Sequence, residues 1–170
     1  MTDASILHAI IQLRTPGLDD VMILASALGG GGFVWLVAGV IAGLYPARRA
    51  AAWRLLLALA LSFVVNDIVV KPLAGRPRPY EADPQIRVLD ARPPSASFPS
   101  GHAARAFAGA VTATEAFPQG AWIFWPLAIL ISFSRMYVGV HWPTDVLGGA
   151  VIGLACAWFV MGGRARVLRD

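Results

Sequence analysis

The sequence predicts an all-α integral-membrane protein, a helical bundle of five or six membrane segments. Two observations carry this. The 170 residues are 57% hydrophobic and only 14% charged, where a soluble domain has about 25% charged residues, and the mean hydropathy is +0.63. The polar residues are also gathered into junctions between apolar runs. The length suits one domain.

Each element follows in order. Ser5 to Leu13 is short and mildly amphipathic and ends at Arg14, Thr15 and Pro16, so residues 1–16 read as an N-terminal interfacial helix. The membrane domain is expected over 17–163. Val21 to Tyr45 carries no charge, but Gly29 to Gly32 interrupt it. A full crossing takes about 20 residues, so one long span and two helices joined at the glycines both stay open. Arg48, Arg49 and Arg54 make a basic turn, Trp53 to Val70 a clear span, and residues 71–101 a loop rich in proline and charge. Three apolar segments follow, His102 to Ala116, Ala121 to Phe133 and Val146 to Met161, and then a basic tail over 164–170. Several are short: fifteen helical residues reach about 22 Å, less than a hydrocarbon core of about 30 Å. Their ends are expected in a polar cavity or a thinned bilayer.

There are thirteen arginines and one lysine, Lys71, and the formal net charge is +4. That balance suits an anionic lipid surface or a phosphorylated ligand. Nucleic acid is not expected as a partner, because no groove-reading motif is present. The single cysteine, Cys156, cannot form an internal disulfide and says nothing about the redox compartment. The N-terminus MTDASILHAIIQL lacks the basic start of a cleavable signal peptide. Arg48, Arg49, Arg54 and the tail arginines fall on one side of the simplest alternating topology, which the positive-inside rule makes cytoplasmic. The opposite side also holds arginines, so the signal is divided.

That opposite side receives three polar clusters. KPLAGRPRP places Lys71, Arg76 and Arg78 at the end of one helix. PSGH, Pro99 to His102, opens the next. SRMYVGVHWPTD, Ser134 to Asp145, joins the last two. Charges at a membrane are costly and usually functional. Lys71, Arg78 and Arg135 are cations, and the arginine fork matches phosphate oxygens. Ser100 is expected to cap the helix. Gly101 permits close backbone approach, and free N–H groups at a helix start favour an anion. His141 lies four residues before Asp145, at a helix start marked by Pro143. The carboxylate can then orient the imidazole and make its other nitrogen a better nucleophile. His102 is left as a general acid. A nucleophile, its orienting carboxylate, an acid and a cationic cradle together specify phosphoryl transfer.

These residues resemble the signature of the type 2 phosphatidic acid phosphatase family, related in fold to the vanadium-dependent haloperoxidases. Its three parts are K-x6-RP, PSGH and SR-x5-H-x3-D. Here they are Lys71 with Arg78-Pro79, Pro99 to His102, and Ser134-Arg135 with His141 and Asp145, all in matching order and spacing. The likeness is tight over 71–145 and looser over about 17–162, and the first sixteen residues carry none of it. It implies a metal-independent membrane lipid phosphatase with no cofactor. His141 attacks phosphorus to form a phosphohistidine. His102 protonates the leaving oxygen and then activates water, and Asp145 orients His141. Lys71, Arg78, Ser100, Gly101 and Arg135 hold the phosphate. Family substrates are phosphatidic acid, phosphatidylglycerophosphate and polyprenyl diphosphates such as undecaprenyl diphosphate. An outward-facing site inclines the choice to the last. The small size suggests a prokaryotic enzyme of the cell membrane, with the site on the non-cytoplasmic side. A lipid phosphotransferase using the same phosphohistidine is an alternative, as is a non-catalytic lipid-binding or transport protein on this fold. Neither the oligomeric state nor a gating role for loop 77–98 can be read.

Other residues have plainer readings. Lys71 can pair with Asp67 one turn earlier. Arg76 is expected to face solvent or lipid headgroups. Arg105 either reaches the site or snorkels to the interface. His8 is expected to be structural, and the tryptophans to be interface anchors or core. Two histidines and an aspartate can bind a metal, but three fixed cations beside them would repel a divalent ion.

Overall fold

The computed structural model describes residues 2–163, so the basic tail predicted over 164–170 lies outside the described residues. In chain order the α-helices are α1 (Asp3–Ile11), α2 (Pro16–Gly29), α3 (Phe33–Leu44), α4 (Arg49–Phe63), α5 (Lys71–Ala74), α6 (Pro79–Ala82), α7 (Gly101–Ala116), α8 (Ala121–Tyr137) and α9 (Pro143–Val160). Six of these have twelve or more residues and form an all-α bundle. By length and composition, three helical stretches can cross a membrane: Pro16–Leu44, Pro46–Ala82 and Pro143–Val160. Helices α7 and α8 have 16 and 17 residues, below the about 20 of a full crossing.

Side-chain contacts fix the direction of each helix. Gly39 in α3 faces Leu55 and Leu56 in α4, and Ala42 packs with Ala51 and Ala52, so α3 and α4 are antiparallel. Gly32 meets Arg105, Gly109 meets Trp35 and Ala42 packs with Ala116, so α3 runs parallel to α7. A tight turn at Pro118–Gly120 reverses the chain into α8. Helix α2 is antiparallel to α8, since Tyr137 donates to Asp19 and Gly29 lies against Ile131. Thus α2 and α3 travel the same way. They form one passage broken at Gly30–Gly32, where Gly31 and Gly32 adopt φ of 59° and 79°, values that favour glycine. This resolves the two readings of Val21 to Tyr45. Five passages result: α2–α3, α4, α7, α8 and α9.

Helix α1 lies outside these passages, on the end that carries the polar loops. Its Leu7 is buried with Ile86 and Trp142. Two further departures from the predicted boundaries lie near that end. Helix α4 does not stop at Val70. It widens into a π turn at Val64–Val70 and continues through α5 to Gly75, at φ 54°. Helix α8 runs past Phe133 to Tyr137, so Ser134 and Arg135 are helical and buried.

Helix α7 is the centre of the bundle. Its buried face is almost wholly alanine and glycine, which brings neighbouring backbones close. In α9, a Cβ at Gly149 would strike the carbonyl oxygen of Ser100, and one at Gly153 that of Ala104. On the opposite face of α9, Leu147, Val151, Leu154 and Trp158 are exposed at helical spacing, a stripe suited to lipid.

Candidate active site

All three sequence clusters converge at one end of the bundle. Lys71 sits at the end of the α4–α5 helix, and Arg78 just before α6. Ser100, Gly101 and His102 begin α7, and Arg135 lies in the last turn of α8. His141 occupies the turn before α9, whose first turn carries Asp145. Lys71, Arg78, Ser100, Arg135, His141 and Asp145 are each no more than 7% exposed.

The turn that presents His141 is built locally. Gly139 takes φ 86°, and the N–H groups of Val140 and His141 both donate to Arg135 O at 3.2 Å. One backbone oxygen thereby ties the arginine's helix turn to the histidine. Asp145 then closes the start of α9, accepting from Trp142 N at 2.8 Å through Oδ2, as the Pro143 signal implies. The same oxygen accepts from the Ser97 hydroxyl and lies 3.4 Å from His141 Nδ1. That separation suits an ion pair but is long for a good hydrogen bond, and Nδ1 has no hydrogen-bond partner by strict geometry. Catalytic hydrogen bonds are often long before substrate binds.

On the other side of the ring, Arg78 Nη1 lies 3.5 Å from His141 Nε2 and donates to Val140 O at 2.8 Å. Its Nε donates to Ser95 O at 2.8 Å. The guanidinium is fixed by backbone acceptors and aimed at the imidazole. His141 lies between α8 and α9, outside the apolar spans. Burial pushes its imidazole from the ordinary 6.5 down to about 4. Asp145 opposes that shift, and the charges of Arg78 and Arg135 add to it. His102 lies within the field of Arg135, Arg105 and His141. Ser100 holds the cap position of α7, but its side chain does not cap the helix. The hydroxyl is buried without a partner, which corrects the expected helix cap and leaves it free for a ligand. Among the described residues, no group of three or more His, Cys, Asp or Glu side chains is arranged to hold a metal ion.

The chain matches the PAP2 superfamily over residues 51–168. The chain belongs to that superfamily. Among curated relatives, an undecaprenyl-diphosphatase of Sulfolobus acidocaldarius is 32% identical over 80% of this chain and 66% of its own length. A decaprenylphosphoryl-5-phosphoribose phosphatase of Mycobacterium tuberculosis is 35% identical over 92% of this chain and 91% of its own. Among solved structures, Aquifex aeolicus LpxE superposes with a TM-score of 0.82 at 29% identity, covering 94% of each chain. The PAP2-type phosphatidylglycerolphosphate phosphatase of Bacillus subtilis gives 0.78 at 28% identity, covering 98% of this chain and 86% of that one. The chain is thus a membrane protein and a PAP2-family phosphatase.

Around this PAP2 site stand further partners, some of them missed by the sequence reading. Asp67 accepts from Lys71 Nζ at 2.8 Å, as the one-turn spacing suggests, and also from Arg105 Nη1 at 2.7 Å. Arg105 therefore belongs to the site end and does not snorkel. The pair crowds Gly101, where a Cβ would lie 2.7 Å from Arg105 Nη2 and 2.8 Å from Asp67 Oδ1. Arg135 donates to the Ser26 hydroxyl in α2 and lies 3.2 Å from Asp90. Burial pushes the Asp90 carboxyl up, but hydrogen bonds from Ser26 and the Ala91 N–H, with the Arg135 charge, hold it below its ordinary value. His8 bonds Asp83 at 3.0 Å, a structural role as expected. Arg76 departs from its expected solvent-facing role: it pairs with Asp145 at 2.6 Å. For the long-range pairs the warning in the sequence was composition. Ten acidic residues in so apolar a chain must find partners where they are buried.

Proposed function

We propose that this chain is a metal-independent lipid phosphatase that works through a phosphohistidine on His141, with a polyprenyl diphosphate such as undecaprenyl diphosphate as substrate. One observation carries the mechanism: Nε2 of a buried imidazole faces a fixed guanidinium at 3.5 Å, with a carboxylate 3.4 Å from Nδ1. A phosphate held by Arg78 lies against that nucleophile. The choice of lipid leans on relatives named for polyprenyl substrates.

His141 Nε2 attacks phosphorus, a P–N bond forms and the bond to the leaving oxygen breaks. His102 gives its proton to that oxygen. Water then gives its proton back to His102, attacks phosphorus, breaks the P–N bond and leaves as inorganic phosphate. Asp145 stabilises the imidazolium. Lys71, Arg78, Arg135, the Ser100 hydroxyl and the Gly101 backbone hold the phosphoryl oxygens as charge develops. Arg48, Arg49 and Arg54 gather at the opposite end of the passages, which supports a site on the non-cytoplasmic side of a prokaryotic cell membrane.

The test is phosphate release in detergent with EDTA from undecaprenyl diphosphate, phosphatidic acid and phosphatidylglycerophosphate. Wild type is expected to release phosphate, fastest from the diphosphate, and folded His141→Ala to release none. Faster release from a glycerophospholipid would overturn the choice of lipid. Release unaffected by His141→Ala would overturn the mechanism.

A further inference from the structure

Helix α1 carries none of the sequence signature, yet one side chain ties it to the centre of the site. Arg76 Nη1 donates to Asp145 Oδ1 at 2.6 Å and to Thr144 Oγ1 at 2.7 Å, and Nη2 donates to Asp3 Oδ2 at 2.7 Å. Asp3 also accepts from Thr144 N at 3.1 Å and from the Thr144 hydroxyl. The guanidinium lies over Trp142, 5.5 Å from the ring centroid, and Leu7 of α1 is buried against the same tryptophan. Among the described residues, Arg76 is the one arginine or lysine paired with Asp145.

We propose that Arg76, clamped by Asp3 of the N-terminal helix, is a positioning residue for the His141–Asp145 pair. The proposal rests on the phosphatase reading above. The two carboxylate oxygens have different work. Oδ2 takes Ser97 and the Trp142 N–H and faces the imidazole. Oδ1 is held by Arg76. Without that hold, the carboxylate can turn about its terminal torsion, which is soft, and His141 loses a fixed tautomer and orientation. Arg76 does this with a fork: one nitrogen serves Asp145 and Thr144, the other Asp3. The single nitrogen of lysine cannot span both. Arg76 acts through Asp145 and not on phosphate, so its loss falls on the chemical step.

The experiment uses full-length wild type, Arg76→Gln, Arg76→Lys, Asp3→Asn, Asp3→Glu and the Arg76→Gln/Asp3→Asn double variant, in detergent with undecaprenyl diphosphate and with phosphatidic acid. Arg76→Gln is expected to lower kcat on the order of 10- to 100-fold, the scale of losing a group that orients a reacting ligand. KM should stay within about twofold. Asp3→Asn should lower kcat less, and Asp3→Glu should restore most of that loss. The double variant should be no worse than Arg76→Gln alone, because both act through one tether. An unchanged kcat in Arg76→Gln, a fully additive double variant, or a KM rise that accounts for the loss would each overturn the proposal. If Arg76→Gln does not fold, the two Asp3 variants decide by the same kcat readout. A wild type without turnover would count against the phosphatase reading and not against the tether. In that case the ¹⁵N shifts of the His141 ring, in histidine-labelled protein, decide: Arg76→Gln should change the tautomer mixture, and an unchanged mixture overturns the proposal.

Discussion

His141 is buried beside Arg78, Arg135 and Asp145, and the balance favours its neutral form. Burial is the largest cause, so its imidazole is pushed from 6.5 down to about 4. A neutral imidazole keeps its lone pair, and the proposed nucleophile therefore stays competent as pH falls through 6.5. Stability has the same sign: below about 6.5 the unfolded chain takes a proton that the folded site refuses, so stability is lost as pH falls from there toward about 4. The acid limb of kcat/KM that belongs to His141, corrected for titration of the lipid phosphate, is expected below about 5 and not near 6.5. An acid limb centred near 6.5 would mean that burial does not hold the ring neutral in the free enzyme. The groups assigned to this chemistry were legible in the sequence, because phosphoryl transfer admits few residue types and the three clusters hold them at fixed spacing. Their supports were not. Ser97 and Asp145 are 48 residues apart and Asp3 and Arg76 are 73 apart, and no local pattern marks such pairs. Arg76 was misjudged for this reason: a charge between a glycine and a proline reads as loop surface until the fold brings a buried carboxylate to it.

At the scale of elements, the site depends on how α7 and α9 meet. Helix α7 delivers Ser100, Gly101 and His102, and α9 delivers Asp145. The two run parallel with Gly149 against the Ser100 carbonyl and Gly153 against the Ala104 carbonyl. A methyl at Gly153 has backbone, not a flexible side chain, in its way, and the helices must separate. Gly153→Ala is therefore expected to cost about 1–3 kcal/mol, the range for overpacking. It should also lower kcat by shifting Asp145 and His141 relative to His102. Gly43→Ala is the control, since its Cβ would meet only Ala52 at 3.9 Å, an ordinary contact. Thermal unfolding and turnover of both variants check this, and equal behaviour would show that the interface yields freely. Helix starts at such junctions were readable: Pro143 and the PSGH serine mark α9 and α7. Helix ends were less so. Ser134 and Arg135 look like a polar break after Phe133, but the Ser134 hydroxyl bonds Ile131 O at 2.7 Å and Arg135 finds Ser26 and Asp90. The helix continues because its polar groups are satisfied inside.

For the whole molecule, the number of passages decides which ends share a side. The contacts make α2 and α3 one broken passage, which leaves five in all and puts α1 at the site end, where Asp3 reaches Thr144 and Arg76. Two separate crossings would instead have carried α1 to the opposite end, and the sequence alone allowed both. In membranes, the N-terminal helix and the proline-rich loop should therefore be accessible from one side, and the basic turn at 46–49 from the other. Single cysteines at Ala4, Gln85 and Ala47, all exposed, test this in a Cys156→Ala background, since Cys156 is the only native thiol. With sealed right-side-out vesicles, a membrane-impermeant maleimide is expected to label Ala4→Cys and Gln85→Cys without lysis and Ala47→Cys only after it. Labelling of Ala4→Cys together with Ala47→Cys would require six crossings. Labelling of Ala47→Cys alone before lysis would invert the protein and turn the proposed site to the cytoplasm. It would also mean that Arg76, Arg78 and their neighbours outweigh the basic turn in setting orientation.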